Sequence, residues 1–269
     1  RTVPRRSPGD TGVMARDFDG ATHRIDYTAP QSPVSAQTFG MWVYPHTFTT
    51  PARYFFNIHQ SGDTGLGCFF AVITGPPFEL VFQVAAGLSI ELYKAATVTI
   101  PTNQWSHLTY TWDGTLNHSG INLYINGTLQ TTSLRTNNGS GTPNLAGTWS
   151  LMGRKSDNAR NVDGLAAEPA WWNRVLSAAE IAALAKGFSP AHFPQGLKFY
   201  PNLIRDINDS WSGQAGTNVN TTVAAHIPII YPSQSLWTPG AAGEPPEPPT
   251  FNPSWARGSN QIIGAGYVY

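Results

Sequence analysis

The sequence predicts an all-β protein, a two-sheet antiparallel sandwich or jelly roll with one short capping helix and extended terminal arms. Three observations predict it. About ten short apolar stretches of alternating character stand between Gly, Pro, Asn and Asp punctuation. One of the breaks is Asn126-Gly127, the pair that best suits a type I′ hairpin, because both central positions need positive φ. A single helix signal stands near residue 180, where everything around it reads as strand and turn.

The elements follow in chain order. "RTVPRRSPGD" is a basic, Pro-containing arm, taken as residues 1–13. "ARDFDGATHRIDYT" reads as a first strand pair turning at Asp19-Gly20. "FGMWVYP" alternates and ends at Pro45. "ARYFFNIHQ" sets Tyr54, Phe56 and Ile58 on one face, and "SGDTGLG" is a loop. "CFFAVIT", "FELVFQV" and "LSIELY" are three strands. In "WSHLTYTWDG" Leu108, Tyr110 and Trp112 alternate with His107, Thr109 and Thr111. In "INLYINGTLQ" Ile121, Leu123 and Ile125 do the same, so these two stretches form the clearest pair. "TNNGSGTPNLAG" is a loop, "TWSLMGR" a strand, and "GLAAEPAWWNR" the strand before the helix. Trp171 and Trp172, adjacent on that strand, point to opposite faces, Trp171 to the core and Trp172 to the surface under the helix.

Ser177 and Glu180 have the spacing of a capping box, with Leu176 and Ile181 as the hydrophobic staple. Ile181 and Leu184 form the apolar stripe, Gly187 suits the C-terminal turn and Pro190 stops the helix. So short a helix is marginal alone, so it docks on the sandwich.

Composition narrows the partners. The chain has 269 residues with 16 Lys+Arg and 16 Asp+Glu, so no net charge, and only 12% charged residues. That points away from nucleic acid and from anionic membrane. No apolar run is long enough to span a membrane, and no secretory signal pattern is seen. The lone Cys68, inside "GCFFAVI", excludes an intramolecular disulfide and reads as a buried small hydrophobe. The sequons at Asn117, Asn126, Asn138, Asn208 and Asn220 read as chance in a chain rich in Asn, Ser and Thr.

Four phrases carry a resemblance. "FDG" near the start, "WSHLTYTWDG" (105–114), "INLYING" (121–127) and "WNRVLSAAEI" (172–181) stand in the order found in the laminin-G-like, concanavalin A-like lectin-glucanase jelly-roll family. The likeness covers roughly residues 14–190 and implies the jelly roll. In that family an acidic residue usually follows Gly at the start of the strand before the helix; here Gly164 is followed by Leu165-Ala166-Ala167-Glu168-Pro169, which puts any family-wide metal role at that point in doubt. Calcium is the one cofactor the resemblance implies, with Asp63, Asp157, Asn158 and Asp163 as the hard-oxygen candidates; turn formation alone is the favoured reading for them.

Glycosidases share the fold and need two carboxylates flanking the bond. In the glucanase families that the chain resembles these come from a Glu-x-Asp-x-x-Glu strand. Glu occurs here only at 79, 91, 168, 180, 244 and 247, and no strand carries such a pair, so no catalytic residue is assigned. His107 is read as a packing residue.

Residues 191–234 are expected to be an extension on or beside the jelly roll, with "TTVAAHIPIIYP" adding one strand. Residues 235–269 are a Pro/Gly-rich extended tail. Modules with such extensions resemble surface proteins of bacterial viruses and marine bacteria. The main expectation is therefore a non-enzymatic virion surface protein, a capsid decoration, spike or fibre. Its extensions would hold it to other protein subunits, in a capsid or a homo-oligomer, through Trp237, Phe251, Trp255, Tyr267 and Tyr269 and through Arg5 and Arg6. The alternative is a carbohydrate-binding adhesion module of a secreted or cell-surface protein. The two are compatible, since a decoration protein can also bind glycans. A glycoside hydrolase or lyase stands third.

Overall fold

A computed structural model describes residues 13–28, 36–48, 52–60, 66–73, 78–86, 89–137, 147–154, 160–203, 206–226 and 228–232. In chain order the strands are β1 (Val13–Asp19), β2 (Arg24–Thr28), β3 (Gln37–Thr47), β4 (Arg53–Gln60), β5 (Leu66–Ile73), β6 (Phe78–Ala86), β7 (Ser89–Val98) and β8 (Ser106–Trp112). Then come β9 (Ile121–Ile125), β10 (Thr128–Leu129), β11 (Ser133–Asn137), β12 (Gly147–Leu151), β13 (Asp163–Trp172), helix α1 (Ala178–Leu184), β14 (Leu197–Phe199), β15 (Gly216–Val219) and β16 (Thr222–Ala225). The first sheet runs β10-β9-β8-β3-β13-β1-β16, with β14 also on β13. The second runs β11-β7-β6-β5-β4-β12-β2-β15, and all named pairs are antiparallel. This is the two-sheet sandwich expected.

Alternation builds the core. Phe39, Met41, Val43, Leu108, Tyr110, Trp112, Ile121, Leu123 and Trp171 from the first sheet meet Ile25, Phe56, Ile58, Phe70, Phe82 and Trp149 from the second, all fully buried. Cys68 lies in the same core; burial pushes its thiol well up, against a partly opposing contact with Tyr110, so it is a packed hydrophobe. Trp171 sits in this core, while Trp172 joins Leu176, Ile181 and Leu184 on the far side of the first sheet.

Three expectations change. β1 and β2 do not pair with each other: β1 lies between β13 and β16, β2 between β12 and β15. The Asp19 carboxylate accepts from the backbone N–H groups of Ala21, Thr22 and His23 and folds a loop that carries the chain from one sheet to the other. β3 does not end at Pro45. Its pairing with β8 stops at Val43, and Pro45 lies beyond it, opposite Gly164 of β13, where the missing N–H breaks no ladder to β8. Tyr54 does not share a face with Phe56 and Ile58. A bulge between Tyr54 and Phe56 sends both Phe55 and Phe56 into the core and Tyr54 outward.

The Asn126-Gly127 hairpin joins β9 to β10 with φ of 50° and 77°. A Cβ at Gly127 would stand 3.0 Å from Ala182 Cα, so the turn also lets α1 approach.

The helix is capped as its sequence implies. Ser177 Oγ accepts from Glu180 N, and Ser177 N donates to the Glu180 carboxylate at 2.7 Å. Arg174 adds two hydrogen bonds to the same carboxylate, and Thr38 of β3 bridges Arg174 O and Leu176 N, fixing where the chain enters. Ile181 and Leu184 are buried. Ser177→Ala is expected to cost about 0.5–2 kcal/mol, read as a lower urea midpoint at unchanged m-value; an unmoved midpoint would show that the cap is idle. Beyond the helix, β14, β15 and β16 hydrogen-bond into both sheets.

Candidate functional site

The two sheets differ in what covers their outer faces. On the first, α1, Leu197, Tyr200 and Phe193 cover Trp172 and Ala170. Further along, Trp105, Ala224 and Ile229 pack on Trp42 and Ala167. His107 is buried here beside Trp42 and His226; burial, and secondarily His226, hold its imidazole down at about 3, so it stays neutral. It is a packing residue, as expected.

The outer face of the second sheet carries a different set. On β2, β12, β4, β5 and β6 the neighbours point into the core, so the residues between them point out. The registers then align one row across six strands: Asp26 of β2 opposite Ser150, Ser150 opposite Asn57, Asn57 opposite Phe69, Phe69 opposite Gln83, Gln83 opposite Tyr93. At one end of the row Ser150 Oγ donates to Asp26 at 2.7 Å and Arg24 Nε donates to the same carboxylate at 3.0 Å. At the other end Tyr93 is half-buried. Tyr54 stacks on Phe69 at 4.6 Å with 14° between the rings, and the guanidinium groups of Arg154 and Arg160 lie 5.8 and 5.5 Å from the Tyr54 centroid.

The middle of the row is polar and unsatisfied. Asn57, fully buried, donates from Nδ2 to Cys68 O at 3.3 Å, but its Oδ1 has no partner. Gln83, 3% exposed, has no partner for Nε2. A buried polar group without a partner costs about 1–3 kcal/mol. One acceptor and one donor on the same row are thus left without partners, both closed to solvent. Tyr54 and Phe69, 3% and 6% exposed, are packed rather than open platforms.

Sequence reasoning passed over these residues. Their signal is a polar side chain inside an otherwise apolar strand, Asn57 in "RYFFNIHQ" and Gln83 in "FELVFQVAA".

The described glutamates are engaged separately. Glu79 pairs with Arg135, and Glu180 with Arg174. Glu168, on the first sheet, is buried, and burial raises its carboxyl to about 7 against the opposing hydrogen bonds from Tyr200 and Tyr231. That value would suit a general acid, yet no second carboxylate is among the groups that act on it.

The calcium candidates divide. Asp163 lies at the start of β13, where Thr47 Oγ1 donates to its carboxylate at 2.9 Å and His46 Nδ1 approaches at 3.0 Å. Its oxygens are engaged within the protein, and no group of three His, Cys, Asp or Glu side chains able to hold a metal forms among the described residues. Asp63, Asp157 and Asn158 lie outside the described residues. So do Arg5, Arg6, Trp237, Phe251, Trp255, Tyr267 and Tyr269.

Comparison with known proteins bears on the fold. The model of a laminin G family, described as the concanavalin A-like lectin/glucanases superfamily, matches residues 19–182. A heptameric SAP-like pentraxin from Limulus polyphemus is similar over 80% of this chain and 96% of its own, with 17% identity and a TM-score of 0.56. A putative carbohydrate binding protein from Bacteroides ovatus is similar over 81% of this chain with 18% identity and a TM-score of 0.58; the chain spans 62% of that protein's length. At such identities the likeness is one of fold. The chain matches none of the curated proteins compared with it.

Proposed function

The chain belongs to the concanavalin A-like lectin/glucanases superfamily, and from that premise we propose that it is a non-enzymatic carbohydrate-binding protein whose ligand lies on the outer face of the second sheet. The observation that carries the reading is the row Asn57–Phe69–Gln83–Tyr93, in which two buried amide atoms lack partners beside a packed aromatic pair. Ligand sites set a few fixed polar groups among apolar and aromatic side chains, and a ligand reaches these two amides as the side chains over them move aside. The Bacteroides ovatus protein, described as a putative carbohydrate binding protein, supports the reading at the level of fold.

Glycan-array screening followed by calorimetry tests it. A hit is expected to lose about tenfold or more in affinity in Asn57→Ala and in Gln83→Ala, about 1.4 kcal/mol per tenfold, with the fold retained by circular dichroism. If the amides merely hold structural water, both variants bind as the parent does and the site is wrong.

The non-enzymatic part rests on the separate engagement of Glu79, Glu168 and Glu180. Incubation with β-glucans, agars, carrageenans and alginate is expected to release no reducing ends and no unsaturated products. Turnover abolished by one Glu or Asp substitution would overturn it.

The capsid-decoration reading rests on the terminal extensions, whose partner-binding candidates lie outside the described residues. The carbohydrate-binding alternative has the better support.

A further inference from the structure

We propose that Glu168, Tyr200 and Tyr231 form a proton-controlled latch that fixes the segment 228–232 to the outer face of the first sheet, closed while Glu168 is protonated and loosened when it ionises. The geometry begins with the backbone. β13 bulges between Ala167 and Ala170, with Glu168 at φ 53° ahead of Pro169. That left-handed position is costly for a glutamate, about 1–3 kcal/mol, and it sets the side chain against the residues that cover the sheet. Glu168 is 2% exposed.

Three parts of the chain meet at its carboxyl. Tyr200 OH, just past β14, hydrogen-bonds one oxygen, and Tyr231 OH lies 2.7 Å from the other. Tyr200 OH is also 3.0 Å from Ser189 Oγ. The segment 228–232 is held next to them by its backbone: Ser189 N donates to Ile230 O at 2.9 Å, and Ile230 N donates to Gly187 O at 2.8 Å. Ile229 packs on the cluster of Trp42 and Ala167. Among the described contacts, this backbone bridge, His192 on Ile230 O, the packing of Ile229 and the Tyr231–Glu168 bond hold the segment, and of these the last depends on the state of the carboxyl.

Protonated, Glu168 can donate to Tyr200 OH, which donates to Ser189 Oγ, while its other oxygen accepts from Tyr231. Every group is satisfied with no net charge. Ionised, the carboxylate keeps two donors but is buried, and no cation is among the groups that act on it. The titratable groups around it are few. Tyr200 itself is pushed up by burial and by Glu168 and stays neutral. His107, held down at about 3, does not change charge near neutrality. Asp209 accepts from Tyr200 N, His226 packs on Trp42 and Trp105, and His192 Nε2 lies 3.0 Å from Ile230 O. His192 is the ionisable side chain that touches the segment's backbone directly.

The sign follows from linkage. Burial holds the carboxyl at about 7 in the closed state, and as the segment lifts and water reaches it the carboxyl falls toward the ordinary 4.5. The closed state holds the proton over that window, so closure weakens as pH rises from about 4.5 to about 7 and is level above it. Each unit is tenfold, so the opening constant rises on the order of a hundredfold.

Hydrogen exchange of the Ile229, Ile230 and Tyr231 amides in the full chain, corrected for intrinsic rates, tests this between pH 4.5 and 8.5. Parent protection is expected to fall on the order of a hundredfold across the window. Glu168→Gln is expected to keep it high and flat, Tyr231→Phe to lower it at acid pH, and His192→Gln to behave as the parent. A parent without pH dependence, or Glu168→Gln with the parent's curve, overturns the proposal; so does His192→Gln alone removing it. If Glu168→Gln fails to fold, the Glu168 carboxyl titrated by carbon NMR in the parent decides: a midpoint near 7 supports the latch, one near 4.5 overturns it.

Discussion

Trp171→Ala is expected to lower the free energy of unfolding by about 3–5 kcal/mol, the range for removing a buried large aromatic. The residue is fully buried near the end of β13, between Phe39 of β3 and Phe199 of β14. Its ring meets Trp149 of the opposite sheet edge-on at 5.4 Å, and Trp149 in turn meets Phe56 and Phe199. One side chain thus joins both sheets and the extension strand β14. The indole N–H also donates to Gln37 Oε1 at 2.6 Å. Gln37 Nε2 already lacks a partner, so truncation would leave that amide wholly stranded and press the cost toward the top of the range. Urea unfolding gives the measurement. Trp171→Phe separates the two contributions, since it keeps a ring and loses the donor. A loss below about 1 kcal/mol for the alanine variant would mean that the site collapses around the cavity and that the indole is not central to the core.

The features legible in the sequence are those whose causes are local. The helix is fixed by Ser177, Glu180, Leu176 and Gly187 within one short stretch, and each acts as its type implies. The Asn126-Gly127 hairpin is likewise a matter of two residues. Which sheet a strand joins is not local. β1 and β2 read as a hairpin because a turn separates two alternating runs, yet Phe18 and Ile25 enter one core from opposite sides. The face of Tyr54 was hidden by a bulge, which shifts every residue on one side of it by one place. Glu168 is a second such case: only the bulge at Pro169 turns it toward Tyr200 and Tyr231. The row on the second sheet is a product of register. Asn57 and Gln83 stand out singly as polar residues in apolar strands, but two strand pairings are needed to set Phe69 between them. β14 and β15 are three and four residues long, too short to show a period.

Gly164→Ala is the second large loss, expected at about 2–5 kcal/mol from a strained backbone and an overpacked strand. Gly164 stands at the start of β13 with φ 149°, and an added Cβ would fall 2.3 Å from Tyr44 O and 2.8 Å from Pro45 Cα. Both are backbone atoms of β3, so no side chain can swing aside. The strands themselves would have to part where β13 pairs with β3 on one edge and β1 on the other. Phe18 of β1 lies directly opposite Gly164, so the disturbance reaches the core. Gly213→Ala is the control. Its φ is 77°, yet a Cβ there would meet nothing within 4 Å. It carries the conformational penalty alone, about 1–2 kcal/mol. Urea unfolding of the two variants side by side distinguishes strain from collision. Gly164→Ala clearly below Gly213→Ala in stability places the cost in the close approach of β3 and β13. Equal losses would show that the strands separate freely at that point, and the packing described for the start of β13 would be wrong.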